Sequence, residues 1–339
     1  MQSGHRVREA PLVFTVDNAT RLRDSLPRID FRMADDHAGR SGRSNSDDRE
    51  APARRYRDYY RLTFDNPGIE HRMGYFESGG FRLVCQYFRP ARQVATVFLI
   101  HGYYDHAGLY GHLIRHCLVA ELAVVIFDLP GHGLSSGEQA GIESFDQYSD
   151  ALDACLDIAS HQNVPEPWHL VAQSTGAAVT VNRILCGEGP LPGNIDKVIF
   201  LAPLVRPVSW FKNRLLFLLM HRFVKTRPRD FAANSHDKEF LNFIRHRDGL
   251  QCLILSVDWV AALIEFLRRF RRAEKSQREI HIIQGTADTT VDWRYNLGQL
   301  ESKFPSAKTC LIENAQHHLV NESVEYRDQV FSAIDSILR

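Results

Sequence analysis

The sequence predicts an α/β fold: a mostly parallel, doubly wound sheet of eight strands, with a helical block inserted late in the chain. Three observations carry this. From about residue 70, short β-rich runs alternate with longer stretches of helical spacing, the order that builds βαβ units and a parallel sheet. Two of the runs, 97–100 and 124–127, are apolar without a break, as strands buried on both faces are. The alternation fails once, between about 204 and 278, where the chain reads as helical with no clear strand. A departure of that length marks an insertion rather than a connecting loop.

Taken in order, the β-rich runs are 74–77, 81–88, 94–100, 122–127, 169–173, 198–201, 280–284 and 309–312. Helical spacing covers 107–120, 144–160, 174–186, 294–304 and 322–338. The core is therefore expected over 70–203 and 279–339, with 204–278 as a helical cap and 1–69 as an N-terminal extension. Within the extension, 35–58 is rich in Arg, Asp, Ser and Gly. Such a segment buries too little apolar surface to offset its ordering entropy, so it reads as a mobile linker. Residues 11–33 hold enough apolar side chains to form a short element or dock on the body. A protein partner for the extension is not identifiable from its residues.

Composition narrows the functional classes. The 339 residues carry 41 Lys+Arg against 41 Asp+Glu. No global attraction to nucleic acid follows from that balance. The six cysteines are scattered with no CxxC pair, and most lie in apolar runs. That usage fits reduced thiols packed as small hydrophobes in a reducing compartment. The N-terminus lacks a signal-like apolar stretch, and no window of about 18 residues is free of charge. A cytoplasmic protein is the expectation.

The sharpest local signal is Ala172-Gln173-Ser174-Thr175-Gly176, which follows an apolar strand and opens a helix. A serine on such a tight strand-to-helix turn presents its hydroxyl above the sheet edge. A hydroxyl is not ionised at neutral pH, so a nucleophilic Ser174 needs a base and a carboxylate to hold that base's tautomer. Both types follow later strands. The run 280–284 leads to Asp288, and 309–312 leads to His317 and His318. Asp292 also follows the first of these strands but reads as a carboxylate at a helix N-terminus. The two histidines are adjacent and must point apart, so only one can serve Ser174.

A further cluster, HGYYDH at 101–106, follows the run 94–100. A loop there can aim a backbone N–H at a developing oxyanion. The candidate donors are the N–H of Tyr103 and that of Thr175. His101, His106, His112 and His116 crowd this stretch, yet their spacing matches no metal-ligand set and no carboxylate completes one. Neither a metal nor a cofactor is expected, and His101 reads as a loop brace. DLPGHGLS at 128–135 reads as a turn whose Asp and His brace neighbouring loops.

With these residues in place, the chain resembles the monoacylglycerol lipase and lysophospholipase branch of the α/β-hydrolases, a group joined with serine aminopeptidase-like hydrolases. The resemblance rests on HGYYDHAGLY (101–110), DLPGHGLSSG (128–137), AQSTG (172–176), GTADTTVD (285–292) and NAQHHLVNE (314–322), and spans about residues 70–339. It implies Ser174 as nucleophile, His317 as base, Asp288 as acid, and Tyr103 and Thr175 as oxyanion donors. It also implies an α/β-hydrolase fold and a helical cap that selects a single-chain acyl-lipid substrate. The pattern departs at Ala172, where a glycine is usual, and at Tyr103, bulkier than the usual small residue. Acyltransferase or thioesterase chemistry would use the same residues, and a ligand-binding member of the fold would use none of them. In the cap, the apolar run 215–220 lies between Lys212, Arg214, Arg222 and Lys225, the make-up of a helix lying on an anionic membrane.

Overall fold

The computed structural model describes residues 13–32, 47–64, 66, 68–191 and 195–339. Eight strands form the main sheet: β1 (Glu70–Ser78), β2 (Phe81–Arg89), β3 (Ala95–Ile100), β4 (Leu122–Phe127), β5 (Trp168–Gln173), β6 (Ile195–Leu201), β9 (His281–Gly285) and β10 (Lys308–Ile312). Two short strands, β7 (Thr226–Pro228) and β8 (Ile254–Ser256), lie outside it. The main sheet runs β1-β2-β4-β3-β5-β6-β9-β10. β2 is antiparallel to both neighbours, and every later pairing is parallel. This is the α/β-hydrolase fold that the sequence resembles.

Helices α3 (Gly111–Val119) and α10 (Val324–Leu338) cover one face of the sheet, and α4 (Phe145–His161) and α5 (Thr175–Cys186) the other. The unbroken apolar runs follow from this. Along β3, Val97 and Leu99 enter one apolar layer while Phe98 and Ile100 enter the opposite one, because successive side chains on a strand point to opposite faces. Each of these four is at most 2% exposed. α9 (Trp293–Lys303) connects β9 to β10.

The N-terminal extension departs from its expected form. Its portion at 35–46 lies outside the described residues, but 47–58 belongs to α2 (Asp47–Tyr59). The reason is a tyrosine stripe within the polar sequence. Tyr56 and Tyr60 are buried and close on Phe14 with ring centroids 5.5 and 5.8 Å away. The Tyr56 hydroxyl also accepts a 2.9 Å bond from the Gln86 amide on β2. α1 (Val16–Ser25) leads to a segment that pairs with β1, Ile29 N–H donating to Tyr75 O and Tyr75 N–H to Pro27 O. Gly74 permits this approach, since a Cβ there would stand 2.6 Å from Ile29 Cα.

The expected cap is not wholly helical. α6 (Trp210–Met220) and α7 (Lys238–His246) are accompanied by β7 and β8, which pair as a two-stranded antiparallel ribbon. α8 (Val257–Arg272) packs back onto the body, Phe266 stacking on Phe145 of α4 at 4.8 Å. Its far end therefore belongs to the helical layer of the core. Basic residues between 204 and 278 fall into two settings. Arg206, Arg268 and Arg269 are held by Asp292, Glu265 and Asp146, whereas Lys212, Arg214, Arg222 and Lys225 stand exposed around α6.

Candidate active site

In a parallel sheet the strand ends converge on one edge, and the loops leaving β3, β5, β9 and β10 meet there. At the end of β5, Ser174 adopts φ 51° and ψ −110°, a left-handed backbone unfavourable for a side-chain-bearing residue. Neighbouring contacts hold it there: Ser174 N–H donates to Leu201 O at 2.9 Å, and its carbonyl accepts from Leu204 N–H at 3.1 Å. The turn demands glycine two residues on, because a Cβ at Gly176 would stand 2.3 Å from Ile100 O. Ala172 is accommodated in the strand itself, fully buried in register with Ile100 and Phe200.

The turn after β9 and the loop after β10 cross at Gly285, where a Cβ would stand 2.3 Å from Ala315 O. Ala287 N–H donates to Ala315 O, and the Gln173 amide donates to His317 O at 3.0 Å. The result is a continuous line: Ser174 Oγ to His317 Nε2 at 2.9 Å, and His317 Nδ1 to Asp288 Oδ2 at 2.7 Å. A carboxylate can only accept, so Nδ1–H donates to Asp288 and Nε2 is left to accept the Ser174 hydroxyl proton. The second Asp288 oxygen accepts from the N–H groups of Thr290 (2.8 Å) and Val291 (3.1 Å).

Electrostatics follow the geometry. Burial disfavours charge on His317, but the Asp288 carboxylate outweighs it and holds the imidazole above its ordinary value. Burial likewise opposes the Asp288 charge, and His317 with the two N–H donors holds that carboxyl below its ordinary value. The two histidines do point apart. His318 Nε2 meets Asp105 Oδ1 at 3.1 Å, and its ring rests edge-on against Phe240. Asp292 stands at the start of α9 and is ion-paired with Arg206 at 2.6 Å, away from the His317 line.

Tyr103 and Thr175 border the same cavity as Ser174. Among the described residues, neither N–H has a backbone partner. Thr175 opens α5, where N–H groups lack intrahelical acceptors. The bulk of Tyr103 turns away into the wall, its ring 3.9 Å from that of Trp259 and its hydroxyl donating to Ala140 O at 2.8 Å. The loop is braced by His101, whose Nδ1–H donates to Gly102 O while Nε2 accepts from Leu129 N–H, both at 2.8 Å. Burial pushes its pKa down to about 3, so the ring stays neutral. His106 pairs with Asp248 and His116 with Asp335. Asp128 accepts from the N–H groups of Ala107 and Leu134, the bracing expected of it.

The cavity holds about 370 Å³. Leu204, Trp210, Leu216, Phe217, Leu255 and Leu263 give it an apolar side, while Tyr104, Asp105, Arg229, Asn234 and His318 give it a polar one. Sequence reasoning missed several supports. Glu322 is buried and accepts from the N–H groups of Gln316 (2.7 Å) and His236 (2.8 Å), fixing the His317 loop. Glu322 ends the 314–322 motif and Asp105 lies within the 101–106 cluster, yet neither stretch discloses the partner of its acid, and Arg229 is one of several cationic residues in the cap.

Over residues 91–324 the chain matches the family described as serine aminopeptidase, S33. Human monoglyceride lipase is 27% identical over 266 residues, covering 76% of this chain and 86% of that protein. A monoglyceride lipase homologue of monkeypox virus is 30% identical over 270 residues, covering 75% of this chain and 93% of that protein. Among solved structures, a soluble variant of Saccharomyces cerevisiae monoglyceride lipase in complex with a substrate analog superposes with a TM-score of 0.67. It covers 81% of this chain and 96% of its own at 16% identity, a likeness of fold alone.

Proposed function

We propose, from the premise that the chain belongs to the serine aminopeptidase S33 family of the α/β-hydrolases together with the monoglyceride lipases and is a carboxylic ester hydrolase, that it releases the fatty acid of single-chain acyl lipids through an acyl-enzyme on Ser174. The observation that carries this reading is the unbroken line from Ser174 through His317 to Asp288, with Ser174 and His317 lining a cavity that has one apolar side. Ser174 Oγ attacks the ester carbonyl as His317 Nε2 takes its proton. Asp288 stabilises the imidazolium that forms. The oxyanion faces the N–H groups of Tyr103 and Thr175, and one such donor is worth about 10²–10³ in rate. His317 then protonates the departing alcohol, and water attacks the acyl-Ser174 ester to release the acid.

The apolar side of the cavity suits one acyl chain, and α6 bounds it. On its outer surface, Phe211, Leu215, Leu218 and Leu219 of α6, and Phe223 just beyond it, are 53–86% exposed. With Lys212, Arg214, Arg222 and Lys225 beside them, this surface supports peripheral contact with an anionic membrane. Among the described residues no helix is long and apolar enough to cross one. Arg214→Glu with Arg222→Glu should weaken binding to phosphatidylserine vesicles; unchanged binding would remove the membrane reading.

Fatty acid release from matched monoacylglycerols, lysophospholipids and short p-nitrophenyl esters, with Ser174→Ala as control, tests the central reading. Turnover that favours the long-chain lipids and disappears in the variant is the expected result. Turnover of short esters alone would make the protein a general esterase. Acyl transfer to an added alcohol in preference to water would make it a transferase.

A further inference from the structure

The polar side of the cavity contains an arginine, Arg229, that is ion-paired to no carboxylate among the described residues. Arg227 lies in β7 and Arg229 directly follows the strand, its N–H donating to Leu253 O at 2.9 Å, and both border the cavity with Ser174. Arg229 is partly buried. Its guanidinium carbon lies 4.1 Å from the Tyr104 ring centroid and 4.4 Å from that of Phe231. Its hydrogen bonds to protein run from Nη1, to the Gln251 amide oxygen and to Cys252 O. Among the described residues it makes no ion pair, which sets it apart from Arg183, Arg206 and Arg269.

The acids nearby do not cancel this charge directly. Asp105 is engaged by the N–H of Gly102, the Tyr110 hydroxyl and His318. Asp230 also borders the cavity but is exposed to solvent. A guanidinium flanked by aromatic rings, whose Nε and Nη2 make no hydrogen bond to the described residues, is pre-organised for a planar, two-point anion contact. Because the acyl chain takes the apolar side, such an anion would sit on the alcohol half of the ester.

Resting on the ester hydrolase reading above, we propose that Arg229, assisted by Arg227, forms an anion subsite that selects acyl esters whose alcohol carries a phosphate over neutral glycerol esters. The subsite belongs to the cap ribbon rather than to the strand-end loops. It therefore distinguishes substrates without taking part in the chemistry at Ser174.

Equilibrium binding to the Ser174→Ala protein tests this without turnover. The probes are 1-octanoyl glycerol 3-phosphate and 1-octanoyl glycerol, both below their micelle-forming concentrations so that surface charge plays no part. The phosphate ester should bind at least about tenfold tighter, the value of one charge-assisted contact. Arg229→Gln should remove most of that preference, and Arg227→Gln should reduce it by less. Arg229→Lys, which keeps the charge but loses the fork, should retain part of it and serves as the test if the glutamine variant does not fold. Equal affinity for the two probes, or a preference unchanged in the Arg229 variants, would overturn the subsite. Loss of Ser174-dependent turnover with the binding preference intact would instead overturn the hydrolase reading.

Discussion

Two buried histidine–carboxylate pairs lie close to the same loops and have opposite fates. His317 meets Asp288 at 2.7 Å, and His106 meets Asp248 at 2.9 Å. In both, burial disfavours the imidazolium, the carboxylate outweighs it, and the histidine is held above its ordinary value. What separates them is the other ring nitrogen. His317 Nε2 accepts from Ser174, which lines the cavity, whereas His106 Nδ1 accepts from Gly108 N–H within its own loop at 3.2 Å. Asp248 is saturated as well, accepting from the Tyr60 hydroxyl at 2.7 Å and from the Gln251 amide at 2.9 Å. A histidine beside a carboxylate is therefore not a site in itself. It becomes one when its second nitrogen faces a reactive group and an open cavity.

That contrast is breakable by matched substitutions. The largest effect belongs to Asp288→Asn, which should lower kcat by about 10³–10⁴-fold while leaving the fold intact, read by p-nitrophenyl ester hydrolysis and thermal melting. The pH profile should move as well. Asp288 raises His317, whose neutral form is the active base, so the acid limb of kcat/KM should lie above pH 6.5, the ordinary imidazole value. Without the carboxylate it should shift to lower pH. A parent acid limb below that value would contradict the assignment of His317.

Asp248→Asn should act on stability instead. Breaking a buried pair costs about 3–5 kcal/mol, measured by urea unfolding, whereas kcat at a temperature where the variant stays folded should fall far less than in Asp288→Asn. A loss of activity as large as that of Asp288→Asn, without destabilisation, would erase the distinction between the two pairs.

The same contrast explains what the sequence could disclose. Ser174, Asp288 and His317 each lie within a few residues of a strand end, so a local reading places them on one edge of a parallel sheet. The residues left the choice between His317 and His318 open, and resemblance to a motif supplied it. In the structure His317 faces Ser174, while His318 meets Asp105. The second pair had no comparable signal: His106 lies in the 101–106 cluster, but Asp248 falls inside the cap, away from every strand the sequence predicts. α2 is hard to read because its anchoring comes from Tyr56, within a segment otherwise rich in charge, and from Tyr60 just past the helix. The ribbon escaped notice because β7 and β8 are three residues each, too short for an alternation to register.

The central claim is that Ser174 is activated by His317 and stands open to an incoming acyl group. Intact-mass and peptide mass spectrometry after treatment with an alkyl fluorophosphonate tests it most directly. We expect one adduct per chain, carried by the peptide containing Ser174, and a labelling rate that collapses in His317→Ala. An unlabelled protein, or an adduct on any other residue, would contradict the assignment of Ser174 as the nucleophile.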